Sequence, residues 1–155
     1  MTNRSTLIET ICALPDRLEA KVKGLSAEQL TTHHIDDEWS VAQVVHHMAD
    51  SYMNSFVRFK LVLTEDNPAL RGFDEKSWAN TVDANNPDIA HSLAILRGVH
   101  ARWCALLDSI AEDQWSRQGT HASGYTETLD TLINTYANHS ENHLRQIQTV
   151  LDAME

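Results

Sequence analysis

The chain has 155 residues and a formal net charge of -10, with 22 acidic residues against 12 lysines and arginines. This length predicts one domain, residues 1–155, that buries about 70% of its unfolded surface without help from a structural staple. The acidic balance argues against nucleic acid or an anionic membrane as the main partner, and the sequence has no run of about 20 apolar residues to span a bilayer.

The beginning of the chain and its two cysteines bear on the cellular location. Acidic residues follow closely behind the first short apolar run, which is unlike a signal peptide. Cys12 and Cys104 are expected to be two separate thiols that pack as small apolar residues. Two thiols without an export signal indicate a reducing compartment, so the predicted location is cytoplasmic.

Two amphipathic helices are predicted in the first half of the chain. The first runs roughly from Thr6 to Lys23, where Pro15 predicts a kink or a broken start and Gly24 provides the C-terminal stop. The second runs from about Val41 to Leu63 and begins with a capping box from Ser40 to Gln43.

A long connection and a third helix follow. Turn residues dominate residues 64–86, with one short helical turn expected near Glu75 to Asn80. A connection of this length often covers a site, although packing by Phe73 and Trp78 explains it equally well. The pair Asn86-Pro87 predicts the start of a helix that continues to about Ile110.

The last predicted helix, Leu129 to Met154, has one apolar stripe that includes two polar residues, His139 and His143. Their spacing of four residues places both imidazoles on one face, where they can hold a single metal ion from the side. A lone histidine on such a face is more often a hydrogen-bonded core residue, but two of them indicate a shared partner. Glu141 follows His139 by two residues, so the pattern is not that of a helical zinc protease.

These patterns predict the fold class. Four long amphipathic helices without an alternating strand pattern indicate an all-α four-helix bundle. A short helical turn is expected from Ala111 to Arg117, and the segment GTHASGY is expected to be a tight loop before the fourth helix, with Thr126 as its cap. The long connection after the second helix allows a crossover.

Several local motifs resemble the DinB superfamily, and more closely its YfiT-like branch. They are Trp39-Ser40-Val41 with a histidine at 47, the similar run over residues 39–68, HARW at 100–103, the HASGY loop, and His139, His143, Gln146 and Ile147 in the last helix. The resemblance covers most of the chain, from about Leu25 to Gln148.

The resemblance implies a four-helix bundle with a long crossover between the second and third helices. It also implies a divalent metal site formed by His47, His139 and His143. Periodicity does not choose between His46 and His47, because the two lie on opposite shoulders of the apolar stripe. The choice of His47 follows from its spacing after Trp39 in the family pattern. The ordering of metal affinities favours zinc or nickel, whichever is available.

Two activities are implied for such a site. Members of the YfiT-like branch are described as metal-dependent hydrolases, which is the favoured prediction, whereas several members of the wider superfamily transfer low-molecular-weight thiols. Three neutral imidazoles leave a metal its full charge and an open position, which activates a water or holds a thiol as thiolate. A third alternative is a non-enzymatic bundle that binds a metal or a small ligand.

The remaining parts of the site are less well defined by sequence. No general base stands at a diagnostic spacing: Asp50, Glu141 and His100 are considered, and each is better explained as a surface or packing residue. Gln146, one turn beyond His143, is expected to orient that ligand. Arg58 and Arg102 are considered as anchors for an acidic thiol, although helical arginines are usually only solvated.

The expected partners are a small-molecule substrate and a second copy of the chain. The homodimer is implied by analogy with the superfamily. It has weak support in the sequence itself: Trp78 and Trp115 lie in connections, where exposure is open to both of them.

Overall fold

A computed structural model describes residues 3–154 of the chain. Within that range the helices are α1 (Arg4–Cys12), α2 (Leu14–Val22), α3 (Ala27–Thr31), α4 (Val41–Thr64), α5 (Glu75–Ala79), α6 (Ala90–Asp108) and α7 (Leu129–Asp152). The strands are β1 (Ala69–Leu70), β2 (Gln118–His121) and β3 (Thr126–Thr128). Two 3₁₀ turns occupy Asp83–Asn85 and Glu112–Gln114.

The long helices form a four-helix bundle. Helices α1 and α2 together make the first bundle helix, which packs against α6 and α7, and α4 packs against the same two helices. Residues 65–89 provide the long crossover connection from α4 to α6. The predicted four-helix bundle with this long connection is confirmed.

Aromatic packing fixes the spacing of α4, α6 and α7. Trp103 of α6 is fully buried, with its ring centroid 5.2 Å from that of Phe59 on α4 and 5.5 Å from that of Tyr136 on α7. Burial of large side chains of this kind stabilises a fold by about 1.5–3 kcal/mol each. This contact therefore anchors the two helices that carry the candidate metal ligands.

The start of α4 is fixed as the sequence predicts. The Ser40 hydroxyl accepts from the amide of Gln43 at 3.3 Å, and the Gln43 side chain accepts from the amide of Ser40 at 3.0 Å. The same glutamine donates to the carbonyl of Ala79 at 2.9 Å. The capping box therefore also ties α5, in the long connection, to the start of α4.

Helices α2 and α6 begin at proline-containing segments of the chain. Pro15 does break the first helix, since α1 ends at Cys12 and α2 begins at Leu14. The predicted start at Asn86-Pro87 is wrong, because α6 begins at Ala90. The side chain of Asn86 accepts from the amide of Asp88 at 2.8 Å, and that of Asp88 from the amide of Ala90 at 3.0 Å, so two successive turns precede the helix.

A small sheet lies where only loops were expected. Strand β1 is parallel to β2, with Ala69 opposite Thr120, and β2 is antiparallel to β3. A side chain at Gly119 would lie 2.7–2.9 Å from Leu70, so glycine permits this close approach. The GTHASGY segment is thus part of a hairpin, and Thr128 rather than Thr126 caps α7.

The prediction of two separate thiols is wrong. Cys12 of α1 and Cys104 of α6 form a disulfide, with Cα atoms 5.9 Å apart, because the first and third bundle helices pack side by side. The cysteines therefore give no support to a cytoplasmic location, which stays a prediction. Among residues 3–154, no helix is long and apolar enough to cross a membrane.

Reduction of the disulfide is expected to lower the free energy of unfolding. The bridge closes a loop with a sequence separation of 92, for which chain entropy alone gives an upper value of about 4–5 kcal/mol. Urea unfolding with and without reductant measures the difference. A Cys12→Ala/Cys104→Ala double variant should be insensitive to reductant, and an unchanged midpoint for the wild type would show that the bridge adds nothing.

The two tryptophans of the connections behave differently. Trp78 is 40% exposed, whereas Trp115 is 3% exposed, with the guanidinium of Arg4 lying 4.5 Å from its ring centre. Of these two residues, Trp78 therefore offers an exposed ring for contact with a second copy, and Trp115 does not. The homodimer stays a prediction, for which light scattering is the direct measurement.

Candidate metal centre

Three histidines from two bundle helices converge at one point. The Nε2 atom of His143 lies 3.1 Å from that of His47 and 3.0 Å from that of His139. One ring nitrogen from each residue lies within 4.8 Å of the others. The structure therefore brings together the three residues that the sequence resemblance nominates as metal ligands.

The two adjacent histidines of α4 have different surroundings. His47 faces α7 and the other two imidazoles. His46 faces α6, where its Nδ1 lies 2.7 Å from the Ser92 hydroxyl and its Nε2 donates to the carbonyl of Asn86 at 2.8 Å. His46 thus holds the end of the long connection, and His47 is the one that joins the cluster.

Hydrogen bonds on the far side of the rings orient the cluster. Nδ1 of His143 donates to the side-chain oxygen of Gln146 at 2.8 Å, which leaves the Nε2 of His143 without a proton. The amide group of Gln146 in turn donates to Glu38 at 3.3 Å. Gln146 therefore orients His143, in agreement with the prediction, and such partners tune a metal ligand.

The second ligand of α7 has a buried partner of its own. Nδ1 of His139 lies 3.4 Å from the hydroxyl of Tyr52, which donates to the carbonyl of Tyr136 at 3.1 Å. The Tyr52 oxygen is consequently an acceptor for the Nδ1 proton of His139. That arrangement again leaves the Nε2 atom free to bind a cation.

Burial keeps these imidazoles neutral near pH 7. Burial lowers the pKa of His47 to about 4, and repulsion from the adjacent His143 when both would be protonated adds to this effect. Burial and the two neighbouring histidines lower the pKa of His139 to about 3, and burial also lowers the pKa of His143. Neutral imidazole is the form that binds a metal.

The donor set fits a divalent transition metal. Three imidazole nitrogens whose lone pairs face one another suit zinc or nickel better than magnesium or calcium, which prefer oxygen ligands. Among residues 3–154, we find one group of three or more histidine, cysteine or carboxylate side chains close enough to hold a metal ion. It consists of His47, His139 and His143. A set of three protein ligands leaves a position for substrate or water, as in catalytic rather than structural sites.

The other candidates lie outside this cluster. His100 is buried in the core, where its Nδ1 donates to the carbonyl of Leu96 at 2.7 Å. Glu141 forms an ion pair with Arg17, and its second oxygen accepts from that guanidinium at 3.1 Å. Asp50 is half-buried, and burial raises its pKa. None of the three belongs to the histidine cluster, so the sequence expectation of surface or packing roles agrees with their positions.

Two clefts flank the histidines. The Arg58 cleft, of about 200 Å³, reaches His139 and is lined by Ser51, Ser55, Arg58, Gly72, Phe73, Glu75, Thr135, Tyr136 and His139. The Gln146 cleft, of about 430 Å³, reaches His143 and is lined by Asp37, Glu38, Trp39, Glu75, Lys76, Asn80, His143 and Gln146. The long connection contributes to the walls of both clefts, and its Phe73 also packs on Trp78 with ring centroids 4.6 Å apart, so both expectations for this connection hold.

Glu75 is the functional candidate that sequence reasoning missed. It begins α5 and, within residues 3–154, is the one residue that lines both clefts. Burial lowers the pKa of His143, and the hydrogen bond to Gln146 and then the negative charge of Glu75 partly oppose that lowering. The only sequence signal was an acidic residue in a connection long enough to cover a site.

The metal-free protein is expected to lose stability as the pH falls from about 6.5 to about 4. Burial lowers the pKa of His47 and His100 to about 4 and that of His139 to about 3, from 6.5. The unfolded chain therefore binds more protons in this range, at a cost of about 2 kcal/mol per histidine at pH 5. Urea unfolding at pH 7 and pH 5 with a chelator measures the difference, and equal unfolding free energies would contradict it.

Comparison with known proteins identifies the class to which this fold and site belong. The sequence model of the DinB superfamily matches residues 12–147, and the chain belongs to that superfamily. It is 44% identical over 144 residues to a "Putative metal-dependent hydrolase" of Geobacillus thermodenitrificans, covering 92% of this chain and 81% of that protein. It is 40% identical over 141 residues to the "Putative metal-dependent hydrolase YfiT" of Bacillus subtilis, covering 90% and 79%.

The structural comparison gives the same relationship. The solved structure of YfiT from Bacillus subtilis superimposes with a TM-score of 0.93 and 38% sequence identity, over 97% of this chain and 87% of that one. That protein is described as "a probable metal-dependent hydrolase with an unusual four-helix bundle topology". The predicted membership of the YfiT-like branch is confirmed.

Proposed function

We propose that the protein is a metal-dependent hydrolase with one divalent ion, zinc or nickel, on His47, His139 and His143. The observation that carries the proposal is the convergence of three neutral imidazoles, with Nε2 atoms of His47 and His139 at 3.1 and 3.0 Å from that of His143. The three-residue donor set leaves an open position. The names of the similar proteins from Geobacillus and Bacillus support the same activity.

The chain's own residues have distinct parts in this chemistry. A bound divalent ion supplies positive charge that polarises a substrate carbonyl and favours ionisation of water. Gln146 holds the Nδ1 proton of His143, so that the Nε2 lone pair faces the site. Glu75, the carboxylate that lines both clefts, is the residue that we assign to take a proton from the attacking water.

Transfer of a low-molecular-weight thiol is the second candidate function. The observation that favours it is the pair of clefts on either side of the histidines, which gives room for two substrates. A positive site also favours a thiolate over a thiol. Lys76 lies in the larger cleft, where it offers a cation for an acidic thiol.

Product analysis separates the candidates. With zinc or nickel present, we expect the protein to hydrolyse an activated nitrophenyl ester at a rate that rises through neutral pH. Thioether formation from a thiol and a halogenated aromatic acceptor, dependent on both metal and thiol and without ester hydrolysis, would favour the transferase. A protein that holds metal stoichiometrically but catalyses neither reaction would be a binding bundle.

A further inference from the structure

A buried hydroxyl lies in the wall of the Arg58 cleft. Tyr136 lines this cleft and is 6% exposed, and among residues 3–154 no group completes a well-formed hydrogen bond with its hydroxyl, although burial raises its pKa and the Arg58 guanidinium and the Ser55 hydroxyl lie near enough to oppose that rise. Its ring packs against Phe59 and Trp103, which fixes the direction of the hydroxyl. Burial of a polar group that lacks a well-formed hydrogen bond is unfavourable, so this hydroxyl is suited to a partner that enters the cleft.

A guanidinium lies beside this hydroxyl. Nε and Nη2 of Arg58 donate to the carbonyl of Arg71 at 3.1 and 2.6 Å, which holds the side chain against the cleft wall. These bonds use two of the five N–H groups of an arginine and leave the others for a ligand. Burial raises the pKa of Tyr136, and the nearby Arg58 guanidinium opposes that rise.

The cleft runs from this pair of groups to the histidine cluster. Ser51 lies 3.3 Å from Nε2 of His47 through its hydroxyl, and Ser51, Ser55 and Arg58 follow one another along one face of α4. Seven residues of helix separate Ser51 from Arg58, which corresponds to roughly 10 Å. A molecule that contacts both ends therefore has several bonds between its two functional groups.

Charges along the cleft are asymmetric. Among the residues that line it, Arg58 is the cationic side chain and Glu75 the anionic one. Glu75 also lines the second cleft and acts electrostatically on His143, so it lies towards the histidine end. A negatively charged group of a ligand is consequently attracted to the Arg58 end and repelled from the Glu75 end.

We propose that the Arg58 cleft binds a carboxylate of the substrate through the Arg58 guanidinium and the Tyr136 hydroxyl. The substrate class is then a small acyl compound, such as a monoester or monoamide of a short dicarboxylic acid, whose reacting carbonyl lies at the histidine cluster. This inference rests on the proposed hydrolase function and names its substrate class.

Ligand binding without turnover tests the inference. The probes are glutaramate, which carries one carboxylate, and glutaramide, its neutral analogue, titrated into the full chain by NMR with a chelator, and again with zinc for as long as the same spectra show both amides intact. Because a hydrogen bond to a charged group contributes about 1.5–3 kcal/mol, glutaramate should bind at least about tenfold more tightly in both conditions. Arg58→Gln should abolish this preference.

Two further variants complete the design. Arg102→Gln is the matched control, because Arg102 is an exposed helical arginine that packs over Phe56 outside the cleft, and it should keep the preference. Tyr136→Phe removes only the unpaired hydroxyl and should weaken binding of glutaramate several-fold, while binding of glutaramide stays the same. This variant retains the ring that packs in the core, so it tests the inference even if Arg58→Gln folds poorly.

The contrary outcomes are equally defined. Equal affinity for the two probes, no binding of either, a preference that survives Arg58→Gln, or unchanged binding in Tyr136→Phe would each overturn the carboxylate subsite. Because no turnover is measured, these results bear on the subsite alone. Absence of metal-dependent hydrolysis would count against the proposed function, whatever the probes show.

Discussion

Replacement of His143 by alanine is expected to release the metal and to lower metal-dependent turnover by more than about a hundredfold. His143 is the central member of the cluster, since its Nε2 lies 3.1 Å from that of His47 and 3.0 Å from that of His139. Loss of groups that merely orient a ligand already costs about 10–100-fold in affinity or activity, and loss of the ligand itself costs more. Elemental analysis and ester hydrolysis measure the two effects.

His46→Ala is the matched control for this prediction. His46 is a buried neighbour of His47, but its hydrogen bonds go to Ser92 and to the carbonyl of Asn86, so its loss should lower stability and leave the metal content unchanged. An unaltered metal content in His143→Ala would refute the site. Loss of metal in His46→Ala but not in His47→Ala would show that the wrong α4 histidine was chosen.

The long helices were predictable because their signals are local. The apolar stripe of α7 and the capping box of α4 lie within a few residues of the structure they produce. The pair His139 and His143 follows from helical spacing alone. His47 does not, since periodicity left both α4 histidines open, and the family resemblance was needed to select it.

The sheet and the disulfide were missed because they depend on contacts far apart in sequence. Strands β1, β2 and β3 have two, four and three residues, too few for an alternating pattern to appear. The bridge between Cys12 and Cys104 requires that α1 lie against α6, which no local pattern reveals. In both cases the bundle creates the pairing that the sequence leaves undetermined.

Glu75 was missed for the same physical reason. An acidic residue at the start of a short helix is ordinary, because negative charge is favourable at a helix N-terminus. The Gln43 side chain bonds to the carbonyl of Ala79, which ties α5 and the Glu75 that begins it to the start of α4. The place of Glu75 in the walls of the two clefts is therefore a property of the folded connection.

Replacement of Glu75 by glutamine is expected to lower kcat by about 10²–10⁴-fold, the usual contribution of a positioned proton-transfer group. The metal content should not change, because Glu75 is not among the clustered ligand atoms of residues 3–154. KM should change less than kcat, because the amide keeps the size of the side chain but cannot accept the proton. Steady-state kinetics on the metal-loaded protein, with elemental analysis of the same samples, measures all three quantities.

Two comparison variants separate proton transfer from a general effect of charge. Glu28→Gln removes one negative charge from an exposed position on α3 and should leave kcat unchanged. Glu75→Asp keeps the carboxylate but shortens its reach, so its kcat should lie between those of the wild type and Glu75→Gln. If Glu75→Gln stayed within about threefold of wild type, the carboxylate would not be the proton acceptor. The attacking water would then have to release its proton directly to solvent in the clefts.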